Sequence, residues 1–250
     1  MRELVINTVY DGNHTQTSDP TVADDIIVNH IKPLLLSFDN ITYEGAYDIT
    51  SYSTRYCFAI DGISNILLFF EHSTSISYPI NIGICRQDQK DSANSLLYSN
   101  WGYVNFESGV GTKFKTTVYT ISKSNKLKTI ATYASSVTSY FTLSLVNVNN
   151  QRHIFISTHE TNVRNYLYPD NNMGIRYEIY TTGITNNLDG IALYRRALIN
   201  NSSILLGQLD DLYQYSHSNF NIKSIFNVID VDGIKYRQIG SYGLFIEDNE

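Results

Sequence analysis

The residues able to do chemistry are few and scattered. Six histidines stand at His14, His30, His72, His153, His159 and His217. No two share a helix face at i, i+4, and there is no Cys-x-x-Cys, so the usual zinc-ligand spacings do not occur. His153 and His159 flank one strand-like stretch beside Glu160. Extended chain holds them about 20 Å apart, too far to share a metal directly. Gly109-Val110-Gly111-Thr112-Lys113 has the look of a phosphate loop. That loop needs the lysine directly after its last glycine. Here Thr112 intervenes and no strand-to-helix switch follows, so the stretch reads as a flexible β turn. The G-x-S-x-G elbow of the hydrolases is absent. Asp24-Asp25 and Asp210-Asp211 are carboxylate pairs of a kind that glycoside hydrolysis uses at a set separation. Neighbouring carboxylates are usually solvated, and Asp24 and Asp25 fall in the first turns of a helix whose dipole favours them. The sequence therefore assigns no catalytic residue, no metal ligand and no cofactor.

Aromatic residues make the other notable group. Tyr98, Trp101, Tyr103 and Phe106 form the densest cluster and include the only tryptophan. They read as core residues of one strand, with Trp101 and Tyr103 on a shared face. They also suit an interface anchor, since Trp and Tyr dominate interface hot spots, or a platform on which a sugar ring stacks. With Ile26, Ile31 and Leu34 of a helical stripe they make up the candidate interface. Net charge is −6. Nucleic-acid binders usually carry a basic patch, and the longest basic cluster, Lys113, Lys115, Lys123, Lys126 and Lys128, is spread over a hairpin-like region. The charge balance argues against DNA or RNA as a partner. Arg195-Arg196, ahead of the polar bend Asn200 to Ser203, fits a salt bridge or subunit contact.

The elements that must position these residues are mostly strands. The chain has 20 Tyr and 11 Phe but only 4 Pro, and 17% charged residues. Tyr, Thr, Ile and Val suit a pleated, half-buried surface, and Asn and Ser favour turns. The leading stretch Leu4 to Tyr10 reads as a strand or an arm. One helix follows, with Asp19 as its cap and Pro20 in the first turn. Val22, Ile26, Ile27, His30, Ile31, Leu34 and Leu35 share one side at helical spacing, a stripe that would bury against the sheet or against a neighbouring subunit. Pro33 should kink or end this helix near Lys32. From about residue 40 the period becomes two. Tyr56, Phe58 and Ile60 alternate with Arg55, Cys57 and Ala59. Asp61-Gly62 is expected to turn the chain as a type I′ hairpin. Ile80, Ile82 and Ile84 alternate likewise. Hairpins are expected around Ser122 to Lys126, around Asn149-Asn150, and at Asp232-Gly233. Residues 88–99 and 161–174 read as long loops.

Strand signals every 8–15 residues predict a mainly β protein, an antiparallel sandwich or barrel-like body with one N-terminal amphipathic helix. Residues 1–40 would form an arm and helix, and 41–250 the β domain, with a weak sub-boundary near 188. Cys57 and Cys85 sit in apolar alternating stretches and read as buried free thiols, not a disulfide framework. No leader peptide or membrane-spanning run is expected.

Three segments carry a resemblance: Tyr194-Arg195-Arg196-Ala197-Leu198-Ile199, Ile204-Leu205-Leu206-Gly207-Gln208-Leu209-Asp210-Asp211-Leu212-Tyr213, and Ile234-Lys235-Tyr236-Arg237-Gln238-Ile239-Gly240. They resemble structural proteins of tailed-bacteriophage particles, from the tail, baseplate or neck. In those, a Gly-x-Leu-x-x-Leu-Tyr segment precedes a last hairpin of the form Asp-Gly-x-x-Tyr. The resemblance implies a non-enzymatic virion component without cofactor. Its partners would be copies of itself, in a ring or symmetric oligomer, and other virion proteins. Its location would be the virion, with host cytoplasm during assembly. The residues leave a different class open as well: a carbohydrate- or receptor-binding β-sandwich using Tyr98, Trp101 and Tyr103.

Overall fold

The computed structural model describes residues 2–9, 20–51, 53–72, 80–101, 113–134, 139–148, 150–159, 163–169, 177–178, 193–199, 205–215, 228–240 and 244–248. The protein is mainly β and its sheets are antiparallel, with one N-terminal helix. Strand β1 (Arg2–Val9) comes first. The helix follows in three pieces: α1 (Pro20–Asp25), a π-helical segment (Ile26–Ile31) and α2 (Lys32–Leu36). Pro33 is expected to kink or end the helix near Lys32; the helix does change there, from the π-helical segment to α2, but it does not end and continues to Leu36. The wider turn ahead of the proline accounts for this. Lys32 N–H donates to Ile27 O, five residues back. Such π-bulges let an α-helix absorb a local break in its hydrogen-bond ladder. Asp19, the expected cap, lies outside the described residues.

A smaller sheet is a simple meander of β2 (Ile41–Thr50), β3 (Ser53–Ile60), β4 (Ile66–His72), β5 (Ile80–Arg86) and β6 (Leu96–Trp101). The larger sheet starts with β7 (Lys113–Lys123), β8 (Lys126–Ala134), β9 (Ser139–Val148), β10 (Gln151–His159), β11 (Val163–Pro169) and β12 (Tyr177–Glu178). It continues with β13 (Leu193–Ile199), β14 (Leu205–Tyr215), β15 (Val228–Val231), β16 (Ile234–Gly240) and β17 (Leu244–Glu247). Its main order is β1-β7-β8-β9-β14-β17-β16-β15, with β10, β11 and β12 branching from β9, and β13 from β14. The stretches expected as long loops contain the start of β6 and all of β11. These pair with β5 and β10, whose ladders would otherwise stay open on that side.

The sheets stack. Ile60, Leu68 and Ile82 of the small sheet join Val118, Ile130, Leu143, Ile156 and Tyr166 of the large one in a single buried cluster. Ala23, Ile26, Ile27, Ile31 and Leu35 of the helix belong to that same cluster. On the opposite face of β9–β11, Val146, Phe155 and Leu167 are also buried. There Thr142 Oγ1 donates to the carbonyl of Ile239, which ties β9 to β16. In the small sheet β4, central among its five strands, is buried at every residue.

The turns follow their backbone chemistry. Ser124 and Asn125 have φ of 51° and 58° between paired Lys123 and Lys126, and Asp232-Gly233 does the same between Val231 and Ile234. Both are two-residue turns of the I′ kind. Asp61-Gly62 is not, contrary to expectation. Only Gly62 has positive φ, Ile63 N–H donates to Ile60 O, and Asn65 adds a second left-handed residue before β4 begins. Five residues connect β3 to β4, because Ile63 turns inward to the core instead of extending the strand.

Candidate functional site

The predicted interface residues divide. Tyr98 and Trp101 lie on β6, where Tyr98 pairs with Ile84 and Trp101 with Asn81. Tyr103 and Phe106 fall outside the described residues. Ile26 and Ile31 are buried in the chain's own core, so neither is offered at the surface. Leu34 is half-buried against that core. The stripe is spent inside the molecule because the helix lies across the inner face of the small sheet. Asp24 accepts from the Tyr56 hydroxyl at 2.7 Å and stands 2.7 Å from His72 Nδ1. Lys32 Nζ sits 3.7 Å over the Tyr43 ring. Asp24 is thus a tether between helix and sheet, more than a solvated carboxylate. Burial, then the bond to Asp24, pushes the Tyr56 phenol well above its usual range.

The outer face of the small sheet holds the buried polar residues Arg55, Glu71 and Asn81. Register places Tyr47, Arg55, Glu71, Asn81 and Trp101 side by side across all five strands. Arg55 is only 1% exposed. Its Nε and Nη2 both lie 2.7 Å from Glu71 Oε2. Its Nη1 donates to Lys90 O, Ser92 O and Ser95 Oγ, at 3.3, 3.1 and 2.7 Å. Phe69 lies beneath the guanidinium at 4.8 Å. One side chain therefore clamps residues 87–95 onto the sheet. Lys90 closes the same flap by reaching Glu44 at 3.2 Å and lying over Tyr47. Asn81 is fully buried, and among the described residues neither atom of its amide has a partner.

Cys57 and Cys85 share that face as free, buried thiols. They sit on β3 and β5 with β4 between and two residues out of register, so the two strand spacings alone, about 9–10 Å, are a lower bound on their backbone separation. That exceeds the reach of a disulfide. A hydrogen bond with Cys85, reinforced by burial, raises the Cys57 thiol far above its usual range. The two thiols are therefore structural in placement, both buried.

An open site lies elsewhere, where two hairpins meet. A cavity of about 330 Å³ is lined by Lys123, Ser124, Lys126, Leu127 and Lys128 of the β7–β8 hairpin, by Leu145, Asn147 and Arg152 of the β9–β10 hairpin, and by Asn40. Asn40, 1% exposed, grips the backbone of Leu127 on both sides: its Nδ2 donates to Leu127 O at 3.0 Å and Leu127 N–H donates to its Oδ1 at 2.7 Å. Asp39 holds the adjacent turn through Asn125 Nδ2 at 2.8 Å. Asp61 N–H donates to Asn40 O, and Arg152 Nη1 donates to Asp61 O at 2.6 Å. The wall from Arg152 through Asp61 and Asn40 to Leu127 is thus fixed before any ligand arrives. Lys123 is paired to Glu247 at 3.0 Å.

In the sequence Lys123, Lys126 and Lys128 cluster with Lys113 and Lys115. The last two stand at the far end of β7, opposite Val9 and Asn7. Eight to ten residues of strand put them about 26–33 Å from Lys123. Nothing in the local sequence marks Arg152 or Asn40 as part of this site, because only the tertiary fold brings them to the hairpin. Among the described residues no group of three His, Cys, Asp or Glu could hold a metal ion, and no helix is long and apolar enough to cross a membrane.

No protein family, curated protein or solved structure matches this chain.

Proposed function

We propose that the chain is a non-enzymatic structural component of a bacteriophage particle, in the tail, baseplate or neck, that works by assembling with copies of itself and docking other virion proteins. The observation that carries the reading is the edge of the C-terminal layer. Among the described strands β15 stands last in the sheet order, and its hairpin with β16 exposes Val228 at 45% and Ile234 at 38%. An outer strand with exposed apolar side chains is a template for pairing with another chain, and here a single exposed charge on β15, Asp230, accompanies them. The occupant assigned to it is a second copy. The three segments that resemble virion proteins fall on β13, β14 and β16, and β14 and β16 flank β17 in this same layer. The cavity lined by cations and amides carries no acid or thiol among its lining residues, which fits binding better than bond making.

Native mass spectrometry at micromolar concentration tests it. Closed oligomers are expected from the natural chain, and monomers from Val228→Lys/Ile234→Lys with its β circular dichroism intact. A natural chain that stays monomeric refutes self-assembly. Capsid, portal or tail genes are expected beside its gene, and a purely metabolic neighbourhood would refute the virion assignment.

One observation favours a second reading, a carbohydrate- or receptor-binding module: Trp101 stands in register with Asn81, whose buried amide is unpartnered among the described residues. A glycan array, repeated with Trp101→Ala, decides it. No glycan bound by the natural chain removes that reading.

A further inference from the structure

We infer that the cavity between the β7–β8 and β9–β10 hairpins is a binding site for a compact phosphate-bearing anion. Four cationic side chains line it, Lys123, Lys126, Lys128 and Arg152, in a chain whose net charge is −6. Lys123 and Lys126 face each other directly across a two-residue turn. Like charges at directly opposed strand positions destabilise a hairpin. Glu247 offsets one of them through Lys123. Lys126 has no ion-pair partner among the described residues and is exposed at the rim. An anion in the cavity would neutralise the remaining charge where it is concentrated.

The donor set also suits phosphate. Arg152 enters from the second hairpin, with one guanidinium nitrogen already anchored on Asp61 O, so the fork is held in place. A guanidinium whose orientation is fixed by the protein can direct its other N–H groups at phosphate oxygens without losing side-chain freedom. Asn147 and Ser124 add uncharged polar groups, and buried Leu145 and Leu127 line the apolar part. Backbone position is set by the Asn40 grip on Leu127 and by the left-handed pair Ser124-Asn125. Gly62 contributes clearance: a Cβ there would stand 3.2 Å from Arg152 Nη1. A cavity of about 330 Å³ falls at the small end of ligand sites. It fits pyrophosphate or the phosphate end of a small metabolite. A duplex backbone calls for a basic track, and Lys113 and Lys115 lie too far along β7 to extend one.

Isothermal titration of the full chain with pyrophosphate, at constant ionic strength, tests the assignment. One site per chain is expected. Lys126→Gln should weaken it about tenfold, the loss of one charge-assisted contact, and Arg152→Gln at least as much. Lys235→Gln, an exposed lysine on β16, should change nothing. Gly62→Ala, which presses on Arg152, should weaken binding while Lys126 stays intact. A parallel arm uses a 20-base-pair DNA duplex. Tight duplex binding without pyrophosphate binding overturns the inference, as does pyrophosphate binding that Lys126→Gln and Arg152→Gln leave unchanged. No heat with pyrophosphate at millimolar concentration also overturns it.

Discussion

Glu71→Gln removes one charge from the centre of the small sheet and keeps the side chain's shape. Arg55 then remains buried at 1% exposure with no counter-charge in contact. Breaking one side of a buried ion pair costs about 3–5 kcal/mol, because the other charge is left uncompensated. Three acceptors from residues 90–95 and the Phe69 ring still hold the guanidinium, so the lower end applies, about 3 kcal/mol. For a chain of this size that lowers Tm by roughly 6–12 °C. Urea titration gives the free energy, and amide exchange locates the damage. Arg55→Met should free residues 87–95, which then exchange faster than in Glu71→Gln, where the clamp survives. The double variant Arg55→Met/Glu71→Leu should recover much of the stability, since an apolar pair avoids the desolvation penalty of two ions. The reasoning fails if Glu71→Gln lies within 1 kcal/mol of the natural chain, or if the double variant is as unstable as the sum of the singles.

Further outcomes follow from the same geometry. Tyr56, Tyr43 and Tyr236 are each raised above the ordinary value near 10, by burial first. The folded state therefore keeps protons that the unfolded chain releases above pH 10, so the stability is intact below that pH and falls as pH rises past it. Urea midpoints at pH 8 and 10.5 measure this, and Tyr56→Phe should flatten the slope. Asn81→Leu should be neutral or stabilising by about 1–3 kcal/mol, because an unsatisfied buried amide is replaced by a similar apolar volume. A clear loss of stability would mean the amide has a partner. Cys57 and Cys85 should react with a thiol reagent only after denaturation, and mild oxidation should leave both thiols free by mass. Gly233→Ala should cost about 1 kcal/mol, since Gly233 holds φ at +79° with open space around it, so strain alone is measured.

Local pattern determined much of this protein. The alternation of Tyr56, Phe58 and Ile60 with Arg55, Cys57 and Ala59 is enough to make a strand and to choose its inner face. Turn chemistry at Asn125 and at Asp232-Gly233 placed two hairpins, and helical spacing of Ile26, Ile27, Ile31 and Leu35 placed the helix. These signals are read within a few residues, which is why they survive without a fold. What the tertiary structure decided lies between distant segments. It sent Ile26 and Ile31 into the chain's own core instead of an interface. It covered the outer face as well, so Arg55 became a buried clamp on Glu71 and on a flap some forty residues away. It split the lysine cluster and brought Arg152 and Asn40 to the half that remained. Period two says which residues share a face. Only the stacking of layers says what that face meets, because partners supplied from far along the chain leave no mark on local spacing.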